Sequence, residues 1–159
     1  NMKRLTTILF VSFIVSVSAQ EEAFKKFYKV NKDKSTFSIN LSTSLAGSFL
    51  DDEDEEGLST LIKKSSNFKL MVFDNEDNTV SSNFKKFARK NRLKTLARIK
   101  DDGGKAEIFF IKKNKYITEI IIRANSNNDK LVLFGLKTKI TQDELAAIFS
   151  SSDMNISSK

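Results

Sequence analysis

Asp52, Asp54 and Glu56, with Gly57 directly behind them, have the alternating-carboxylate spacing of the first half of an EF-hand loop. That pattern wraps oxygen ligands around calcium. The second half of such a loop requires a bidentate Glu where this chain carries Lys63. The three acids are therefore weak calcium candidates, and no metal is expected. The unbroken run Asp51–Glu56 reads first as an exposed loop of like charges that repel one another.

Other groups could act as acids, bases or nucleophiles. Asp101 with Asp102, or Asp74 with Glu76 and Asp77, could supply paired carboxylates for hydrolysis. All of them fall in predicted turns, where Asp is an ordinary turn former. A Ser–Lys dyad would need a pairing in space that spacing does not reveal. The chain has no His and no Cys. That removes Ser-His-Asp triads, thiolate nucleophiles, His- or Cys-ligated zinc, haem on such ligands, iron–sulfur clusters and disulfides. No recognisable catalytic motif remains, so no enzymatic activity and no cofactor are expected.

Cations are the stronger signal. Lys85, Lys86, Arg89 and Lys90 lie on the polar face of a predicted helix, Thr79–Asn91, and Arg98 follows in the next strand. These five are the candidates for contact with an anion. Phe84 and Phe87 interleave with them but fall on the apolar stripe with Val80 and Ala88, which marks core rather than base stacking. Without an RNP-type aromatic pattern or a Gly-rich phosphate loop, a nucleic-acid partner is not expected.

The start of the chain sets the expected address. Met2-Lys3-Arg4, the apolar run Leu5–Val17 and the small residues before Gln20 follow the pattern of a secretory signal peptide. The apolar run falls short of the roughly 20 residues of a membrane span, so no transmembrane span is expected after cleavage. Removal of residues 1–19 takes Lys3 and Arg4 and no acid, lowering the net charge of +7 by two. The expected organisation is a signal peptide at 1–19, a single domain at 20–150 and a Ser-rich flexible tail at 151–159. The expected location is periplasmic or secreted.

Leu93–Ile140 is the scaffold. It reads as four strands, Leu93–Asp101, Lys105–Lys113, Lys115–Asn125 and Asp129–Lys139. Short turns rich in Gly and Asn separate them, as an antiparallel meander requires. Upstream, helices are expected at Glu21–Val30, Ser42–Leu50 and Leu58–Ser65, and strands at Thr36–Leu41 and Phe68–Asp74. Thr141 and Glu144 form a capping box for a final helix docked by Leu145, Ile148 and Phe149. The fold expected is two-layer α+β, a mainly antiparallel sheet with helices on one face. The inner meander strands are apolar on both sides, however. Either Phe109, Ile111, Ile117 and Ile121 face a partner, or a further layer covers them.

This order of elements resembles an exported family, found mainly in Bacteroidota, that is catalogued among domains of unknown function under number 4252. The resemblance rests on Phe24–Tyr28, Phe37–Leu41, Phe68–Phe73, the Asp101-Asp102-Gly103-Gly104 hairpin and Leu133–Gly135, and it spans almost all of residues 21–150. It implies fold and export and brings no catalytic residues. The expected function is a non-catalytic cell-envelope binding module for an envelope protein, an anionic surface or a second copy of itself. A small-ligand-binding domain is the alternative, and a carboxylate- or Ser/Lys-based hydrolase a more distant one.

Overall fold

The computed structural model describes residues 22–41, 56–74, 79–126 and 129–151. The expected signal peptide, the expected helix at 42–50, most of the acidic run and the tail from 152 onward lie outside the described residues, as does the side chain of Phe149.

Helix α1 (Ala23–Asn31) runs through a 3-10 turn into strand β1 (Phe37–Leu41). Helix α2 (Glu56–Lys63) leads into β2 (Ser65–Asp74), and α3 (Thr79–Lys90) into the meander β3 (Lys94–Asp101), β4 (Gly104–Lys113), β5 (Tyr116–Ser126) and β6 (Lys130–Thr141). Helix α4 (Gln142–Ser151) closes the order. The six strands form one sheet, β1-β2-β6-β5-β4-β3, and every neighbouring pair is antiparallel. The α+β architecture and the four-strand meander are those the sequence predicts.

The helices are not on one face. Ile120 and Ile121 are consecutive in β5 and both fully buried, yet they belong to different cores. Successive side chains in a strand point to opposite faces, so the sheet has an apolar core on each side. On one, Phe24 and Phe27 of α1 and Phe84 and Phe87 of α3 pack over Met71, Phe73, Ile111, Ile121, Leu131 and Leu133. On the other, Leu61 of α2 and Leu145 and Ile148 of α4 pack over Phe68, Phe110, Ile117, Ile120, Leu136 and Ile140. The two-layer expectation is thereby corrected to three layers. An inner strand apolar on both sides needs cover on both, and the covering helices come from within the chain.

The same observation selects the second of the two alternatives for the possible partner face, cover by a further layer. Ile111, Ile117 and Ile121 are buried, and Phe109 is half-buried against the α1/α3 core. Ile117 lies on the opposite side of the sheet from the other three.

Local sequence accounts for the joints. Glu144 N–H donates to Thr141 Oγ1 at 3.1 Å and Thr141 N–H donates to Glu144 Oε1 at 3.4 Å, the reciprocal capping box that starts α4. Lys64 Nζ reaches Glu144 Oε2 at 2.7 Å and ties the end of α2 to the start of α4. Helix α3 ends with Arg92 in the left-handed region (φ 53°), while Leu93 N–H returns to Ala88 O at 3.0 Å. Gly104 takes φ +144° at the β3–β4 hairpin, where a Cβ would collide with the Asn125 carbonyl.

Candidate functional site

Helices α1 and α3 lie side by side on one face of the sheet. Phe24 meets Phe87 edge to face and Phe27 meets Phe84 in the same way, so rising numbers on one helix meet falling numbers on the other. The helices are therefore antiparallel. Their solvent-facing sides carry cations: Lys26, Lys29 and the half-buried Lys25 on α1, and Lys85, Lys86, Arg89 and Lys90 on α3. Neither helix contains an Asp or Glu. Helix α4, on the far side of the sheet, carries Asp143 and Glu144 and no base.

Among the expected anion-contact residues, Lys85, Lys86, Arg89 and Lys90 are exposed together on α3. Arg98 is exposed as well, but its Nε lies 3.3 Å from Glu107 Oε2, so a carboxylate already answers its charge. The lysines of α1 were not legible as part of this patch, because only the pairing of two apolar stripes through phenylalanine brings them alongside.

Between the helices runs a groove of about 350 Å³. Phe27 and Phe87 form its floor, the side of Val30 one wall, and Lys26, Lys86 and Lys90 its cationic rim. Val30 is 70% exposed, a high value for a large apolar residue. Asparagines join the walls at one end: Asn83 Nδ2 donates to Asn31 Oδ1 at 3.1 Å, and Asn31 Nδ2 donates to Phe27 O at 3.0 Å. Asn91 Nδ2 donates to Phe87 O at 2.9 Å.

A family model described as Domain of unknown function (DUF4252) matches residues 20–148. The chain belongs to this family. No curated protein and no solved structure matches it.

Beneath the cationic face the DUF4252 domain buries charges that periodicity did not single out. Glu119, in the Ile-rich strand β5, is buried, and both its oxygens accept from the first amides of α1. Ala23 N–H donates to Oε2 at 3.0 Å and Phe24 N–H to Oε1 at 2.9 Å. A strand carboxylate therefore does what an N-cap side chain would do from within the helix. The one sequence signal was an acid in an otherwise apolar run.

Lys69 is also buried, 3.6 Å from Glu22 Oε1, with its ammonium donating to Asn67 O at 3.3 Å. A bulge between Ser66 and Lys69, with Asn67 at φ 55°, sets Lys69 opposite Gly135 and turns it toward α1. Burial pushes the Glu22 carboxyl above its ordinary range, against the pull of Lys69. Glu119, its neighbour, is committed to two backbone amides.

The remaining candidates separate. Asp101 Oδ1 accepts from Gly103 N–H at 2.8 Å, which is turn chemistry. Asp52 and Asp54, and the side chain of Glu56, lie outside the described residues. Among the described residues no group of three His, Cys, Asp or Glu side chains converges on a metal-sized site. No described helix is long and apolar enough to cross a membrane.

On the α2/α4 side, the row Phe37–Val72–Val132–Ala124–Ala106–Ile99 crosses all six strands in register and is apolar throughout. Phe37 is 52% exposed and the other five are half-buried. Half-exposed apolar surface thus lies on this row, while Ile111, Ile117 and Ile121 are buried.

Proposed function

We propose that the protein is a non-catalytic binding module of the cell envelope that contacts an anionic partner through the outer face of α1 and α3. One observation carries this reading: two adjacent antiparallel helices with three and four cations and no acid between them. Seven cations on these two helices orient the molecule in an anionic field and raise its encounter rate.

Export is part of the proposal and rests on the basic start, the apolar run Leu5–Val17 and the small residues before Gln20. Catalysis is not part of it. The buried carboxylate Glu119 and the Glu22–Lys69 pair hold the first turn of α1.

Retention on immobilised heparin tests the reading. A screened electrostatic contact elutes progressively earlier as salt shortens the Debye length from about 10 Å at 0.1 M to about 3 Å at 1 M. Retention that survives high salt, or no retention at all in the folded protein, contradicts it.

A further inference from the structure

Resting on the reading above, we infer that the groove between α1 and α3 receives an acidic amphipathic helix of a protein partner, its apolar ridge on Phe27 and Phe87 and its carboxylates on Lys26, Lys86 and Lys90. Charge complementarity and shape both point to this occupant.

The cations stand on both walls, Lys26 on α1 and Lys86 and Lys90 one turn apart on α3. Among the described residues none of the three meets a carboxylate at ion-pair distance. A ligand with acids on both flanks of an apolar stripe matches them. The floor is aromatic and recessed, with Phe27 only 6% and Phe87 only 8% exposed. A flat lipid surface meets protruding apolar side chains, not recessed ones. A narrow convex ridge, such as the stripe of one helix, reaches the floor, which is the helix-in-groove mode of recognition.

Length agrees. The walls run from Ala23 to Asn31 and from Asn83 to Asn91, eight residues of rise each, or about 12 Å. That accommodates two turns of a bound helix, with apolar side chains four residues apart. The asparagine bridge between α1 and α3 fixes the spacing of the walls at the Asn31–Asn83 end, because separating the helices would cost the buried Asn31 its partner.

The experiment uses the full domain and three defined probes. One is a capped 15-residue helical peptide with leucines four apart and flanking glutamates. The second is its isomer of identical composition with the leucines scattered around the helix. The third is vesicles of phosphatidylglycerol in phosphatidylcholine. Binding is read by fluorescence anisotropy for peptides and by co-sedimentation for vesicles.

The patterned peptide should bind at least about tenfold more tightly than its isomer, a difference of about 1.4 kcal/mol. Val30→Ser should remove most of that preference while leaving heparin retention unchanged. Equal binding of the two isomers overturns the groove and leaves the anionic-partner reading standing. So does binding to vesicles, or to heparin, without binding to the patterned peptide. Failure with every probe, heparin included, overturns both.

Discussion

The ring of Phe24 lies against the backbone of Gly135, so close that a Cβ at position 135 would fall inside van der Waals contact with three of its ring carbons. This contact seats α1 on the centre of β6. It explains why the central strand carries a glycine where its neighbours Leu133 and Leu136 are buried leucines.

Gly135→Ala should therefore destabilise the domain by about 1–3 kcal/mol through overpacking. Phe24→Ala should cost about 3–5 kcal/mol through the cavity it leaves. The two residues touch, so the effects should not add: in the Phe24→Ala background the alanine at 135 should cost little. Urea denaturation of the four-member cycle measures this. Additive losses would show that the ring and the glycine are independent.

The Glu119 carboxylate holds two amides of α1 with two oxygens, and Gln can replace only one of them as an acceptor. Glu119→Gln should cost about 1–3 kcal/mol, the range for losing a buried charge-assisted hydrogen bond. The loss should concentrate in α1, where amide hydrogen exchange at Ala23 and Phe24 should accelerate while β5 and β6 stay protected. Uniform acceleration would argue for general destabilisation instead.

Arg92 occupies the left-handed region at the end of α3, a conformation that costs a non-glycine residue about 1 kcal/mol. Arg92→Gly should stabilise the domain by up to about 1 kcal/mol, after the unfolded chain's added freedom is subtracted. Thermal unfolding checks the sign. A loss of stability would mean that the Arg92 side chain contributes more than its backbone strain removes.

Burial holds the Glu22 carboxyl above its ordinary value of 4.5 in the folded state. The folded protein therefore binds this proton more tightly than the unfolded chain does. The resulting stability is fully present below the unfolded value and is lost as pH rises through the folded one. Glu22→Gln lacks this loss, so its stability relative to the natural protein should grow as pH is raised from below 4.5 toward neutrality. Glu144 acts in the opposite sense, because the hydrogen bond from Lys64 holds its carboxyl low, but it is common to both proteins and cancels. A difference that is flat or falls with pH would contradict the assignment.

The elements were legible because each has a strong local pattern. The capping box at Thr141 and Glu144, the apolar stripe Val80–Phe84–Phe87 and the Gly/Asn hairpins predicted their segments to within a few residues. The pairing of β2 with β6 was not legible, since a register between distant strands leaves no local trace. The layer count was open for a related reason. Consecutive apolar residues such as Ile120 and Ile121 show that both faces need cover, but not whether the chain or a partner supplies it. Half of the cationic face was readable on α3. The other half, on α1, required knowing that Phe24 and Phe27 meet Phe84 and Phe87.

On the reading proposed above, the α1/α3 face, and not net charge, meets the anionic partner. Heparin elution at matched charge tests it most directly. Lys26→Glu/Lys86→Glu/Lys90→Glu should elute at markedly lower salt than the natural protein. Lys63→Glu/Lys113→Glu/Lys130→Glu carries the same charge change at exposed positions outside that face and should elute close to the natural protein. Equal shifts for the two triple variants, both folded by circular dichroism, would contradict the account.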